Sequence, residues 1–341
     1  MKILNTIFAK NNSFMKPLQR VFFLLVLLLF VACKEDVKKQ DYILKGGVFG
    51  TSYKITYLNA SKNYQESLDS LFLIINNSVS TYMPTSDISK INRGESGIII
   101  DHIFSEVFKK SKKIYKETDG FFDPTVGNLV NAYGFGPKSE KINLTETEIA
   151  AQMQFVGLNK VILKESQLIK EYPEIYLDFN SIAKGLGIDI VARFLDDQNI
   201  DNYIIEIGGE IRAKGTKENK EPWTVKLVNP IKAYNNDGFK VINLSNKSMA
   251  TSGNYRKFRI TEDGEKYVHT INPKTGLASE SNLLSASVIA STDCADVDAY
   301  ATAFMAMGLE KTKAFLKNHS DLKVILIYSA DDGSLTEYST Y

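Results

Sequence analysis

The sequence predicts an α+β fold, a single large unit of mostly antiparallel strands with flanking helices. Short apolar segments separated by turn residues predict strands that follow one another as hairpins, for example "NYIIEIGGEIRAKG" at 202–215. Other segments carry apolar residues three and four positions apart, which predicts amphipathic helices. No internal repeat and no Pro-rich linker divides the chain of 341 residues, so we expect one folded unit after the N-terminal segment.

The elements can be placed in order along this unit. Strand patterns lie at 47–59, 160–179, 202–215, 223–229, 240–246, 283–291 and 323–340. The last of these contains a turn at Asp332 and Gly333 and is predicted to be a closing hairpin. Helical spacing occurs at 64–80, 104–120, 182–194, 295–308 and 310–318. Gly120 is placed as the C-terminal stop of the second helix.

The N-terminal segment, residues 1–33, predicts an export signal that is not part of the fold. Basic residues at Lys16 and Arg20 precede an apolar run over 21–32. A bilayer span needs about 20 apolar residues, so this shorter run is typical of a signal-peptide core. The basic residues come directly after Met15, so Met15 is an alternative to Met1 as the start of translation.

The residues "FVAC" that end this segment resemble the lipobox of bacterial lipoproteins, in which the cysteine is lipidated. Cys33 is therefore predicted to be a lipid anchor. The protein is expected to be exported and held on a bacterial membrane, at the periplasmic side of the inner membrane or at the outer membrane. A free Cys33 that ends an ordinary signal or an uncleaved anchor is the alternative. The polar segment 34–45 is predicted to be a tether, and 46–341 the folded domain.

The composition excludes several classes of protein. Lys and Arg number 41 against 40 for Asp and Glu, and with no long basic tract this balance excludes a broad nucleic-acid-binding surface. Cys294 is the cysteine that remains besides Cys33, which excludes a disulfide framework and a cysteine-based metal site. Because the positive and negative charges nearly balance, an anionic ligand must be bound by a few local residues and not by a broad basic surface.

The stretch "YLDFNSIAKGLGID" at 176–189 contains the first candidate site. Its apolar start predicts a strand over 175–179, and apolar residues at every fourth position from Ile182 predict a helix after it. Asn180 or Ser181 is expected to cap this helix.

Lys184 then lies in the first helical turn, where the helix dipole disfavours a cation unless an anion binds. Gly185 and Gly187 would let an anion such as a phosphate approach the backbone closely. The alternative is a solvated lysine, with glycines that serve close helix packing. The spacing alone does not decide between the two interpretations.

The aromatic segment 118–136 is the second candidate. Phe121 and Phe122 precede Asp123 and a proline, and further glycine and aromatic residues follow. So many aromatic residues indicate either a flat ligand or a buried loop.

The sequence contains one candidate site for a metal cation and one candidate residue for a general base. Asp298 and Thr302 are four residues apart on one helix face, a relation in which their oxygens can hold a hard cation such as Mg²⁺, although such pairs are common by chance. His269 precedes a turn rich in Asn, Pro and Gly and is the candidate base. His102 and His319 lie in segments typical of exposed helix flanks. A lone histidine is more often structural than catalytic.

Eight segments, in order along the chain, resemble the successive motifs of the ApbE family of FAD:protein FMN transferases. They are "FGTSYKI", "STYMPTSDISKIN", "GFFDPTVGNLVNAYGFG", "LDFNSIAKGLGID", "IIEIGGEIRAKG", "MATSGNYRKF", "HTINPKTG" and "DAYATAFMAMG". The resemblance extends from about Gly46 to the C terminus. It implies a single catalytic unit that binds FAD and Mg²⁺, transfers FMN to a threonine or serine hydroxyl of an acceptor flavoprotein, and releases AMP.

The same resemblance implies roles for individual residues. Residues at the FAD-contacting positions are Phe49, Tyr82, Phe121, Phe122, Asp123, Asp178, Lys184 and Ile271. Residues at the magnesium positions are Ser181, Asp298 and Thr302. His269 matches the base, and Lys184 would also neutralise phosphate charge during catalysis. Ser181 replaces a small residue of the family and would bind the metal through its hydroxyl or its backbone oxygen.

Two other functions stay open. Water could replace the acceptor hydroxyl, which would make the protein a Mg²⁺-dependent pyrophosphatase that converts FAD to FMN and AMP. A lipoprotein that binds flavin without catalysis is the non-enzymatic alternative, although it would need neither a base nor a metal pair.

Overall fold

The computed structural model describes residues 39–137, 144–228, 238–253, 258–260, 266–278 and 281–341. Nearly all of the described elements lie within one compact unit, Asp41–Tyr341. The predicted signal and Cys33 lie outside the described residues. Within the described part of the chain, no helix has the length and apolar character needed to cross a membrane.

The strands are β1 (Gln40–Val48), β2 (Thr51–Ala60), β3 (Val161–Lys164), β4 (Gln167–Lys170), β5 (Tyr203–Ile207), β6 (Glu210–Lys214), β7 (Trp223–Val228), β8 (Gly238–Leu244), β9 (Lys247–Gly253), β10 (Phe258–Ile260), β11 (Lys266–Val268), β12 (Leu283–Ala290), β13 (Lys323–Ser329) and β14 (Leu335–Ser339). Eight of them form the main sheet in the order β1-β2-β5-β6-β9-β12-β13-β14. The pairings from β2 to β14 in this sheet are antiparallel. The predicted class, α+β with mostly antiparallel strands, is confirmed.

The helices of the described residues are α1 (Gln65–Val79), α2 (Asp87–Asn92), α3 (His102–Glu117), α4 (Gly127–Ala132), α5 (Glu146–Met153), α6 (Ala183–Asp197), α7 (Cys294–Met307) and α8 (Leu309–Leu316). The five predicted helices are confirmed. Helices α2 and α4 were not predicted because six residues are too few to show a helical period clearly. Helix α5 was not predicted because Ile149 is its one buried residue, so its sequence carries no apolar face.

The main sheet is covered on both faces. Helices α1, α3, α6 and α7 contribute to the larger core on one face, and the β7–β8 hairpin contributes to a second core on the other. Successive side chains of a strand point to opposite faces, and in β13 Val324 belongs to the larger core while Ile325 belongs to the second. Burial on both faces explains why the β12 and β13 sequences are nearly continuous apolar runs.

Two segments differ from the sequence predictions: one strand begins earlier than expected, and one predicted strand does not form. Strand β1 begins at Gln40, inside the segment 34–45 that was predicted to be a tether, because Tyr42 stacks on Tyr57 and Leu44 is buried. The predicted strand at 175–179 is wrong. That segment is irregular apart from an isolated bridge between Tyr176 and Val126, so its apolar residues enter the core without joining a sheet.

Candidate active site

Helix α6 begins without a cap from its own side chains. Its N-cap residue is Ile182, which has no side-chain acceptor, so the prediction of Asn180 or Ser181 as the cap is wrong. The acceptor comes from α7 instead, because the Gly185 N–H donates to Asp298 Oδ2 at 3.1 Å. The Gly185 N–H has no acceptor within its own helix, as is usual in the first helical turn, and Asp298, distant in sequence, accepts its hydrogen bond.

Helix α7 is capped in return by α6. Its N-cap residue, Asp293, makes no side-chain cap bond. The N–H groups of Cys294 and Ala295 donate to Asp189 of α6, at 2.8 Å to Oδ1 and 2.9 Å to Oδ2. Burial raises the pKa of the Asp189 carboxyl to about 6. The two helices therefore fix each other at the place where Lys184 and Asp298 meet.

The glycines of α6 serve this packing. A Cβ on Gly185 would lie 2.5 Å from the Cys294 carbonyl oxygen, and a Cβ on Gly187 would lie 2.6 Å from the Phe49 ring. Both positions thus face protein atoms. The packing interpretation of the glycines is confirmed, and the approach of a phosphate to the backbone at this helix start stays a prediction.

Lys184 lies between two buried carboxylates. Its Nζ is 3.1 Å from Glu210 Oε1 and 3.9 Å from Asp298 Oδ1, and Glu210 and Asp298 are 4% and 2% exposed. Burial opposes the charge of Lys184, but the two carboxylates outweigh it and hold the pKa of the ammonium above its usual range. Burial raises the pKa of the Asp298 carboxyl, Lys184 opposes this effect, and Glu210 adds to it.

Strand β6 runs beside α6 and joins it by ion pairs along its length. Alternate residues of β6 point toward the helix, as the strand period requires. The pairs are Lys184–Glu210 at 3.1 Å, Asp189–Arg212 at 2.5 Å and Asp196–Lys214 at 3.1 Å. The pair nearest the α6 N terminus belongs to the site, and the other two connect the helix to the sheet.

Two of the predicted metal residues lie on α7 and the third lies just before α6, and each carries an oxygen atom that could bind a cation. Thr302 lies one turn after Asp298 on α7, and its hydroxyl is 3.2 Å from Ser252 Oγ. Ser181 lies just before α6 and is half-buried. Within the described residues, no cluster of three or more His, Cys, Asp or Glu side chains could hold a metal. The donor set of carboxylate, hydroxyl and carbonyl oxygens nevertheless fits Mg²⁺, which keeps waters or phosphate oxygens in its other positions.

The aromatic segment 118–136 contains helix α4 and is largely buried. Phe122 is 1% exposed. Asp123 Oδ1 accepts from the Thr125 N–H at 2.8 Å, and Oδ2 accepts from the Leu158 N–H at 3.2 Å. Burial raises the pKa of the Asp123 carboxyl to about 6. Both side chains therefore support the loop, and their predicted contact with flavin stays a prediction.

Phe121 has a different environment from Phe122. Its ring is half-buried, and the Nζ atoms of Lys274 and Lys311 lie 5.6 Å and 4.7 Å from the ring centroid. These are cation–π distances. An aromatic face flanked by two ammonium groups is compatible with an anionic ligand nearby.

Two further predicted contact residues, Phe49 and Tyr82, have aromatic rings that are partly accessible. Phe49 has φ 50°, packs on Gly187, and meets Phe72 edge-on at 5.7 Å. Tyr82 is 58% exposed, and its hydroxyl donates to the Phe135 carbonyl at 3.4 Å. An exposed aromatic ring held at its hydroxyl end is a surface on which a flat ligand can stack.

The remaining predicted residues lie on neighbouring loops. Asp178 is 8% exposed, and its Oδ1 accepts from the Asn180 N–H at 2.8 Å. Ile271 is buried in a small apolar cluster with Leu129 of α4. His269 is half-buried and directly follows β11. Their roles toward FAD and as a base stay predictions.

Glu210 was not singled out from the sequence. The only local signal is a carboxylate directly after Gly208 and Gly209, in a hairpin where polar residues are ordinary. Its partner Lys184 is distant in the chain, so the pairing required the fold.

Taken together, the helix end carries two buried carboxylates and one ammonium. The excess negative charge suits a divalent cation, and the nearby lysine suits a phosphate. The fold and the site thus define an α+β protein with a candidate site for a cation and an anionic ligand.

The comparisons with known proteins agree with this class. The sequence model of the ApbE family matches residues 49–326. The chain therefore belongs to the ApbE family, and the resemblance of its motifs is confirmed.

Two relatives extend the match over most of the chain. A protein of Haemophilus influenzae is 34% identical over 327 residues and covers 92% of this chain and 93% of its own. One of Vibrio cholerae is 33% identical over 322 residues, with 92% and 94% covered. Both are named FAD:protein FMN transferase.

Two solved structures share the fold. The flavin transferase ApbE of Vibrio cholerae has a TM-score of 0.79 and 33% identity, and the match covers 88% of this chain and 97% of that one. The apo form of the Pseudomonas stutzeri flavinyl transferase ApbE has a TM-score of 0.79 and 25% identity, with 90% and 96% covered.

Proposed function

We propose that this chain is a Mg²⁺-dependent FAD:protein FMN transferase, which moves the FMN part of FAD to a threonine or serine hydroxyl of an acceptor protein and releases AMP. The name shared by relatives that match nearly its whole length supports the transfer. The observation that carries the proposal is the position of Lys184 between Asp298 and Glu210 at the start of α6.

The reaction assigns one task to each residue. The acceptor oxygen attacks the phosphorus on the FMN side of the pyrophosphate, and the bond from that phosphorus to the bridging oxygen breaks as AMP leaves. His269 takes the proton of the acceptor hydroxyl. Lys184 neutralises charge on the phosphate oxygens.

Asp298, Thr302 and Ser181 would hold the magnesium ion. When bound, Mg²⁺ supplies charge neutralisation on the phosphate oxygens. Asp298 Oδ2 already accepts from Gly185, which orients the carboxylate and directs Oδ1 toward the Lys184 side of the site.

A transfer assay tests the proposal. The purified full-length protein is incubated in detergent with FAD, Mg²⁺ and a candidate acceptor, and the denatured acceptor is examined for covalent flavin fluorescence while AMP is measured. A fluorescent acceptor with equimolar AMP supports transfer. AMP without labelled acceptor indicates the pyrophosphatase, and bound FAD with neither product indicates a flavin-binding protein.

Lys184→Ala is expected to weaken FAD binding about 10- to 100-fold, which corresponds to the loss of one charged hydrogen bond. Riboflavin has no phosphate, so its binding should change little. Both affinities can be measured by quenching of flavin fluorescence. Lys164→Ala, at an exposed strand end, is the matched control. Equal losses for both flavins would assign Lys184 a general structural role.

We also propose that the protein is exported and anchored by a lipid on Cys33. The support is the short apolar run that ends in "FVAC". The acceptor is therefore expected among exported or membrane-bound redox proteins.

Cys33→Ala is expected to release the protein from membranes, because the lipid can no longer be attached. Fractionation should move it from the pellet to the soluble fraction, and intact mass should show a lipidated N-terminal cysteine only in the parent. Cys294→Ala is the control, since that thiol is buried. An unmodified Cys33 in the membrane-bound parent would refute the anchor.

A further inference from the structure

Glu210 is held rigidly at the start of β6. It follows the turn of Gly208 and Gly209, which have φ of 63° and 100°, a region that favours glycine. A Cβ on Gly208 would lie 2.8 Å from Thr51 and 3.4 Å from Glu210 Oε2. The turn thus has glycine where a side chain would clash with Thr51, and the pairing of Ile207 with Glu210 in the main sheet fixes the backbone of Glu210.

The two distances to Lys184 are unequal. The 3.1 Å contact with Glu210 has hydrogen-bond length, whereas the 3.9 Å separation from Asp298 Oδ1 does not. Asp298 keeps its other oxygen on the Gly185 N–H. The ammonium is therefore placed with Glu210, and Asp298 Oδ1 faces it across a gap.

We infer that Glu210 is a positioning residue, which holds the Lys184 ammonium away from Asp298 Oδ1 so that a divalent cation and the lysine each have their own carboxylate. The inference rests on the proposed function, since it concerns the same cation and phosphate. Without Glu210, Asp298 would be the nearest carboxylate to Lys184. The ammonium would then compete with the metal and lose its orientation toward the phosphate.

Two other roles for Glu210 make different predictions. As a metal ligand, Glu210 would act on Mg²⁺ directly, with or without Lys184. As a mere source of negative charge, it would attract Mg²⁺ but repel the phosphates of FAD. A measurement of Mg²⁺ binding distinguishes positioning of Lys184 from the role of a metal ligand. A measurement of flavin binding distinguishes it from a pure charge effect.

The metal measurement uses Glu210→Gln, which keeps the shape and removes the charge. Mg²⁺ binding to the full-length protein without flavin, followed by calorimetry, is expected to weaken about 10- to 100-fold, the range for residues that orient metal ligands. Adding Lys184→Ala should restore the affinity to within about twofold of the parent, because the competing ammonium is gone. A double variant that stays as weak as Glu210→Gln would make Glu210 a metal ligand and overturn the inference.

The flavin measurement is made without Mg²⁺. Glu210→Gln is expected to weaken FAD binding while riboflavin binding stays at the parent value, because Lys184 is no longer aimed at the phosphate. Tighter FAD binding would show a pure charge effect, and unchanged FAD binding would show that Glu210 does not orient Lys184. Either result overturns the inference.

Controls separate positioning from loss of structure and from failure of the proposed function. Glu206→Gln makes the same change at an exposed residue of the neighbouring strand β5 and should leave both affinities unchanged. Glu210→Asp keeps the charge and should recover part of the Mg²⁺ affinity. Neither binding measurement needs an acceptor, so a failed transfer assay would count against the proposed function alone, whereas parent-like binding in Glu210→Gln would count against the role of Glu210 alone.

Discussion

Asp298→Asn is expected to lower the rate of flavin transfer by about 10²-fold or more at a fixed Mg²⁺ concentration, because a charged ligand of the metal worth several kcal/mol is lost. The remaining activity should require far more Mg²⁺. Initial rates of acceptor labelling as a function of Mg²⁺ concentration measure both effects.

The substitution should leave the fold intact. The asparagine oxygen can still accept from the Gly185 N–H, the bond that now measures 3.1 Å. Lys184 keeps Glu210 as its partner, so no buried charge is left unpaired. Thermal unfolding should confirm this, and Asp197→Asn, at an exposed carboxylate of α6, should transfer flavin like the parent. A Mg²⁺ dependence equal to that of the parent would remove Asp298 from the metal site.

The local parts of the fold could be predicted from the sequence. Helix α6 was found from its apolar spacing, and the place of Lys184 in its first turn followed directly. Strands with clear turns, such as β5 and β6, were found in the same way. These features depend on residues within a few positions of each other, and a sequence pattern records such relations.

The long-range parts could not be predicted. The cap of α6 comes from Asp298 and the cap of α7 from Asp189, residues that lie more than a hundred positions from the groups they bind. Glu210 meets Lys184 only because β6 runs beside α6. The glycines of α6 gave a true signal of close approach, but only the structure identified the approaching atoms as Cys294 and Phe49.

The mutual capping has a consequence for the site. Lys184 and Asp298 are brought together by the same hydrogen bonds that start both helices, and Asp189 is fully buried beneath them. A site whose residues are fixed by the core is preorganised, which favours electrostatic catalysis because little reorganisation is needed during the reaction. Proton transfer is a separate task, and we predict that His269, which lies outside these two helices, performs it.

His269→Ala is expected to lower the transfer rate by about 10²- to 10⁴-fold, the usual range for a lost general base. His269 follows β11 and precedes the turn at Asn272, so a paired strand and a hydrogen-bonded turn flank the side chain. The affinities for FAD and Mg²⁺ should stay near the parent values, because a neutral imidazole contributes little to holding a pyrophosphate. Single-turnover AMP release with acceptor present measures the rate, and fluorescence quenching measures FAD affinity.

A rescue experiment distinguishes a base from a structural histidine. A small alcohol of lower pKa, or a higher pH, supplies a nucleophile that has already lost more of its proton, so it should recover part of the AMP release in His269→Ala but have little effect in the parent. His102→Ala, at the first residue of α3, should behave like the parent and needs no rescue. Unchanged turnover would exclude His269 from the reaction. Loss of FAD binding together with turnover would make it a ligand contact or a structural residue, because a base acts on the acceptor proton after FAD has already bound.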